Sequence, residues 1–165
     1  QRGHEIGLHG SYSTYKNSNQ LKVQITLLRK VLEMENIDQQ EIGIRQHYLR
    51  WSTPETARFI DDAGLTYDTT LGYADYAGFR CGTCFEYPLF DLQKRQQLKL
   101  RERPLVLMES SVLDDCYMGL NIESAEKYML QIKNSTKKVN GNFTLLWHNS
   151  YFDGLESPKL YKRLI

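Results

Sequence analysis

Apolar residues recur along this chain in two alternating rhythms. Glu5 to His9 and Ile42 to Arg45 are short runs of strand character, whereas Leu21, Ile25, Leu28 and Leu32 return at the spacing of one helix face and predict a helix from about Asn19 to Glu35. Ser52, Thr53, Pro54 and Glu55 supply a hydroxyl cap, a proline at a helix start and a capping-box carboxylate. The helix they open buries Phe59, Ile60 and Ala63, and Gly64 ends it. Tyr67 to Tyr73, Leu105 to Val112 and Phe143 to Trp147 predict three further strands, and Ile122, Ala125, Met129 and Ile132 predict a helix before the last of them. Ala74 to Leu100 reads as one long irregular segment, of the kind that in compact domains is functional or mobile. Short strands alternating with amphipathic helices make an α/β chain with a parallel sheet or barrel.

Composition narrows the partners. A chain of 165 residues fits one domain, taken here as residues 1–165. Lys and Arg number 21 against 20 Asp and Glu, and no basic run is interleaved with aromatics, so nucleic acid is not an expected partner. No apolar stretch approaches the ~20 residues that cross a bilayer. The first residue is Gln1, with strand-like residues almost at once, which reads as a cut or processed start with any targeting signal missing. Three cysteines, Cys81, Cys84 and Cys116, are an odd number and favour a reducing, cytoplasmic setting over a disulfide framework. Cys81 and Cys84 form a CxxC without the second pair a structural zinc needs; packing under the loop is the expected role, and a thiol or zinc module the open alternative.

Chemistry concentrates in the histidines. There are four, His4, His9, His47 and His148, and the last three fall at or just beyond predicted strand C-termini. In an α/β barrel that rim gathers catalytic side chains. One histidine so placed is as well explained by a structural hydrogen bond. Three together point to a metal or acid/base site and are expected to converge at one end of the sheet.

Three segments carry a resemblance. "GHEIGLH" (Gly3 to His9), "IRQHYLR" (Ile44 to Arg50) and "LLWHN" (Leu145 to Asn149) resemble, in order and spacing, the C-terminal part of the polysaccharide deacetylase (NodB-homology) family. The resemblance implies a distorted (β/α) barrel and a metal-dependent hydrolase that removes acyl groups from a sugar polymer or sugar intermediate. It assigns His9 to the metal, usually zinc, and His47 is the free imidazole available as a second ligand. His148 becomes the acid that protonates the leaving group, and Arg45 the arginine that orients the catalytic carboxylate. Tyr12, Tyr48, Trp147, Asp68 and Arg80 are placed along the substrate groove for an acylated carbohydrate.

The family's second metal histidine falls at Ser13, and its paired aspartates precede the first of these segments. The chain is therefore expected to be truncated at its N-terminus and to form an incomplete barrel. Such a barrel exposes a strand edge or borrows a partner, as in a homodimer. Little turnover is expected from the chain alone, and Asp68, Asp75 and Glu109 are the carboxylates to examine for a base. The alternative is an inactive deacetylase-like barrel that binds glycan through its tyrosines.

Overall fold

The computed structural model describes residues 3–153 and 155–165. They form a mixed α/β structure of two compact units, the first comprising the residues up to Leu71 together with Glu86–Arg103, the second Gly72–Phe85 with Pro104–Ile165. No helix among the described residues is long and apolar enough to cross a membrane.

Unit 1 is a five-stranded sheet. Its strands are β1 (Leu8–Gly10), β2 (Gly43–Gln46), β3 (Tyr67–Asp68), β4 (Tyr87–Asp91) and β5 (Gln96–Glu102), in the order β1-β2-β3-β5-β4. All neighbours run parallel except the β4–β5 hairpin. Side chains in register across a parallel ladder share a face, so Leu8, Ile44, Asp68 and Glu102 point one way. Leu98 and Leu100 alternate onto that face, which is covered by α1 (Ser18–Met34) and α2 (Glu55–Asp62) through Leu21, Ile25, Ala57 and Ile60. The opposite face is polar. Tyr67, Arg101 and Arg103 meet Glu5, Glu41 and Glu86 there, with the Arg103 guanidinium 3.5 Å above the Tyr67 ring. Gly43 makes room for that ring, since a Cβ on it would stand 2.1 Å from Tyr67.

The helix ends follow from local sequence. Asn17 caps α1 by accepting from the Gln20 N–H at 3.0 Å. Gly64, at φ +70, ends α2 with bonds from Gly64 N–H to Asp61 O and Leu65 N–H to Ile60 O, and Leu65 buries its side chain in the core. The capping box at Ser52 forms in another sense than expected: the Ser52 hydroxyl donates to the Glu55 carboxylate, and Pro54 occupies the cap position.

Unit 2 pairs two short parallel strands, β6 (Leu107–Met108) and β7 (Leu145–Leu146), with α3 (Glu109–Leu113), α4 (Ile122–Lys138) and α5 (Ser157–Leu164). Its own core is built on Leu107, Val112, Ala125, Met129, Leu160 and Leu164.

Three expectations need correction. The strand from Tyr67 stops at Asp68, because the Thr70 N–H and hydroxyl both donate to the Asp68 carboxylate and turn the backbone out of the ladder. Only Leu107–Met108 of the 105–112 run is strand, and Glu109 begins a helix. The segment 74–100 is irregular only in part, since its second half is the β4–β5 hairpin. Helix α5 was not anticipated. The two sheets are separate, and the described residues form no closed barrel.

Candidate functional site

The parallel order of unit 1 brings the C-terminal ends of β1, β2, β3 and β5 to one rim. At that rim His9 Nε2 lies 3.0 Å from His47 Nδ1, and the two rings meet edge to face. Arg45 lies beside His9 in register and donates to the Thr69 carbonyl at 3.0 Å and to the Thr69 hydroxyl at 3.1 Å, which fixes the exit of β3.

Beneath the rim, on the helix-covered face, stand two buried carboxyl groups. Asp68 and Glu102 are in register and have no exposed surface. Burial pushes the Asp68 carboxyl above the usual carboxylate range, against hydrogen bonds from Glu102 and Thr70 and the charge of Arg45. Asp68 stands beneath the surface. Glu102 had a signal in the sequence: it is the third inward position after Leu98 and Leu100, a carboxylate where the alternation calls for an apolar side chain.

Tyr12 and Tyr48 occupy the loops that follow β1 and β2, and both are exposed, at 57% and 76%. Their rings meet edge to face at 6.1 Å, and Tyr48 also leans on His47 at 4.5 Å.

In unit 2, β7 runs into His148 and β6 into Glu109. Glu109 is completely buried, and its Oε1 accepts the His148 backbone N–H at 2.8 Å while also contacting His148 Nδ1. One carboxylate oxygen thus fixes both the main chain and the ring of His148, whose side chain remains 49% exposed. Tyr151, on the 3-10 turn after His148, donates its hydroxyl to Asp114. Burial, followed by that bond, drives the phenol pKa of Tyr151 upward.

Trp147 packs with Phe152 and Tyr161 in the unit 2 core. Arg80 is exposed and donates to the Gly72 carbonyl at 2.9 Å. Asp75 is exposed. Cys84 is buried against Gly141, whose Cβ, if present, would meet its sulfur at 2.2 Å.

His9 and His47 thus meet within unit 1, while His148 and Glu109 meet within unit 2. Two imidazole nitrogens on one tetrahedral zinc stand about 3.3 Å apart, close to the separation of His9 and His47. A catalytic zinc takes three protein ligands, however, and the described residues assemble no group of three or more His, Cys, Asp or Glu able to hold a metal. The pair alone does not fit that centre. No family model matches the chain, and no curated protein matches it.

Proposed function

We propose that this chain is part of a carbohydrate deacetylase of the polysaccharide deacetylase type, a hydrolase that frees an acyl group from an acylated sugar, with His148 delivering the proton to the leaving amine or alcohol. The observation that carries the reading is the Glu109–His148 pair. A buried carboxylate on Nδ1 selects the ring tautomer and orientation, and leaves Nε2 of the half-exposed side chain to give or take a proton. The motif "LLWHN" points to the same histidine.

The resemblance assigns a divalent metal to His9 and His47, and that pair alone does not complete such a centre. A third ligand and a carboxylate base lie outside what the described residues assemble, so this chain alone is expected to turn over little. The barrel in this reading is incomplete, in keeping with two separate sheets. The test is acetate release from acetylated chitooligosaccharides and acetylated xylan, by this chain and by a longer one, with added zinc or cobalt. Activity in either that vanishes in His148→Ala supports the reading, and activity indifferent to His148→Ala refutes it.

A second reading, an inactive barrel that holds glycan, is favoured by the exposed tyrosines of unit 1. It predicts oligosaccharide binding without acetate release in either chain.

A further inference from the structure

The segment 77–85 of unit 2 is pinned at both ends. At its start the Tyr128 hydroxyl donates to the Ala77 carbonyl and the Gly78 N–H to the Val106 carbonyl, each at 2.8 Å. At its end the Asn142 N–H donates to the Cys84 carbonyl at 3.2 Å. Between them the chain turns. The Gly82 N–H donates to the Phe79 carbonyl at 2.9 Å, Gly82 takes a left-handed φ of 69°, and the Phe85 N–H donates to the Thr83 hydroxyl at 3.1 Å.

Cys81 and Cys84 stand on that turn, both as thiols. Drawn straight, three residues of chain span about 10 Å, whereas a disulfide needs Cα atoms within about 7 Å. Bends at Gly82 and Cys84 shorten the path. Because the segment is already held at its ends, little further loop-closure entropy opposes a bond between the two sulfurs. Their surroundings divide the roles. Cys81 keeps part of its surface in solvent, whereas Cys84 is 4% exposed and its sulfur fills the space that a Cβ on Gly141 would take. An accessible thiol beside a buried one is the arrangement of an attacking and a resolving cysteine. Two thiolates fall short of the four ligands of a structural zinc, and no third His, Cys, Asp or Glu joins them among the described residues.

We infer that Cys81 and Cys84 are a reversible dithiol–disulfide couple, oxidised by the disulfide of a small thiol such as glutathione. The Cys81 sulfur, as thiolate, attacks the reagent and releases one small thiolate, leaving a mixed disulfide. The Cys84 sulfur then gives up its proton, attacks the Cys81 sulfur and releases the second small thiolate. The two protein thiols lose two electrons and two protons, and the reagent gains both as two thiols. To reach Cys81 the Cys84 sulfur turns away from Gly141, so the bridge forfeits a packed contact and is easily reduced, the mark of a regulatory bond. The Cys84 carbonyl holds the Asn142 N–H, and the chain runs from there into β7 and His148, so the redox state reaches that stretch first.

The experiment treats the intact folded chain with glutathione disulfide and maps its peptides without reduction. The expected peptide carrying Cys81 and Cys84 is lighter by two hydrogens, and exposed Cys116 takes up glutathione as the control that the reagent is active. Cys84→Ala removes the resolving sulfur, so a glutathione adduct at Cys81 should accumulate to on the order of tenfold its level in the parent. Reduced glutathione should reopen the bridge, and hydrogen exchange at the Asn142 amide should be about tenfold faster in the oxidised form. A parent that collects glutathione on Cys81 without closing the bridge overturns the inference, as does a bridge that includes Cys116. A bridge that forms only in urea also overturns it, because the folded turn is then not what brings the sulfurs together. A bridge that resists reduced glutathione, or an Asn142 amide indifferent to it, overturns the regulatory couple.

Discussion

Glu109 has one oxygen on His148 and the other, Oε2, buried with no hydrogen-bond partner among the described residues. A carboxylate in that position is costly to keep unless it serves the group it touches. Glu109→Gln keeps an oxygen for the His148 N–H but removes the charge beside Nδ1. In whichever chain shows acetate release, kcat should fall by ~10²-fold or more with KM little changed. A KM effect alone would assign Glu109 to structure. Gly43 offers a purely structural test. Gly43→Ala places a Cβ 2.1 Å from the buried Tyr67 ring, so the ring must move, and a cost of about 1 to 3 kcal/mol is expected from overpacking. Urea unfolding should show it as a lower midpoint at constant slope. His9, His47 and His148 were legible as strand-end histidines, and Glu109 as a carboxylate to examine; that Glu109 seats against His148, 39 positions further on, follows from no local pattern.

At the scale of elements, α1 was legible to within a residue or so, because its apolar stripe recurs along the length of the helix. Asn17→Ala removes the acceptor of the Gln20 N–H and should lower stability by about 1 kcal/mol, read from the same urea midpoints. An unchanged midpoint would mean that water replaces the cap without cost. The β4–β5 hairpin was hidden for a physical reason. Only alternate residues of β5 face the core, the others are Lys99, Arg101 and glutamines, and Pro88 interrupts β4 beside a shift in register. The strand from Tyr67 was overextended for the opposite reason, since its residues suit a strand and only the Thr70–Asp68 bonds stop it.

For the whole molecule, the α/β class was legible from alternating periodicities, and the parallel ladders of both sheets agree with it. The division into two units was not, because it depends on which distant segments share a core. Stability against pH is a property at this scale. Asp91 is held well below the usual carboxylate range, first by its bond with Arg58, so its contribution is present above about pH 4 and is lost as pH falls through the lowered value. Asp68 has the opposite sign: burial raises its pKa, so its contribution is full below about pH 4 and is lost as pH rises through the raised value. Denaturation midpoints should therefore move differently in two variants, that of Asp91→Asn below about pH 4 and that of Asp68→Asn above it. The deficit of Asp91→Asn should shrink on acidification, and Asp68→Asn should gain on the parent as pH rises. Parallel curves for Asp68→Asn and the parent would show that the buried pair does not titrate in this range. Tyr67, pushed up to about 12 by burial and then by its bond to Glu5, adds an alkaline loss beginning above about pH 10.

The interruption of unit 1 by residues 72–85 also has a meaning in time. Strands β1, β2 and β3 leave the ribosome first, but Leu98 and Leu100, which complete their core, and β5, which pairs with β3, follow about 30 residues later. At ordinary rates of synthesis that is a delay of a few seconds. During it the nascent sheet has an unpaired inner strand and an apolar face missing part of its cover, the state in which a chain is open to chaperones and to misassociation. Slow codons between positions 72 and 86 would lengthen that exposure, and the yield of folded protein is the quantity that would register it.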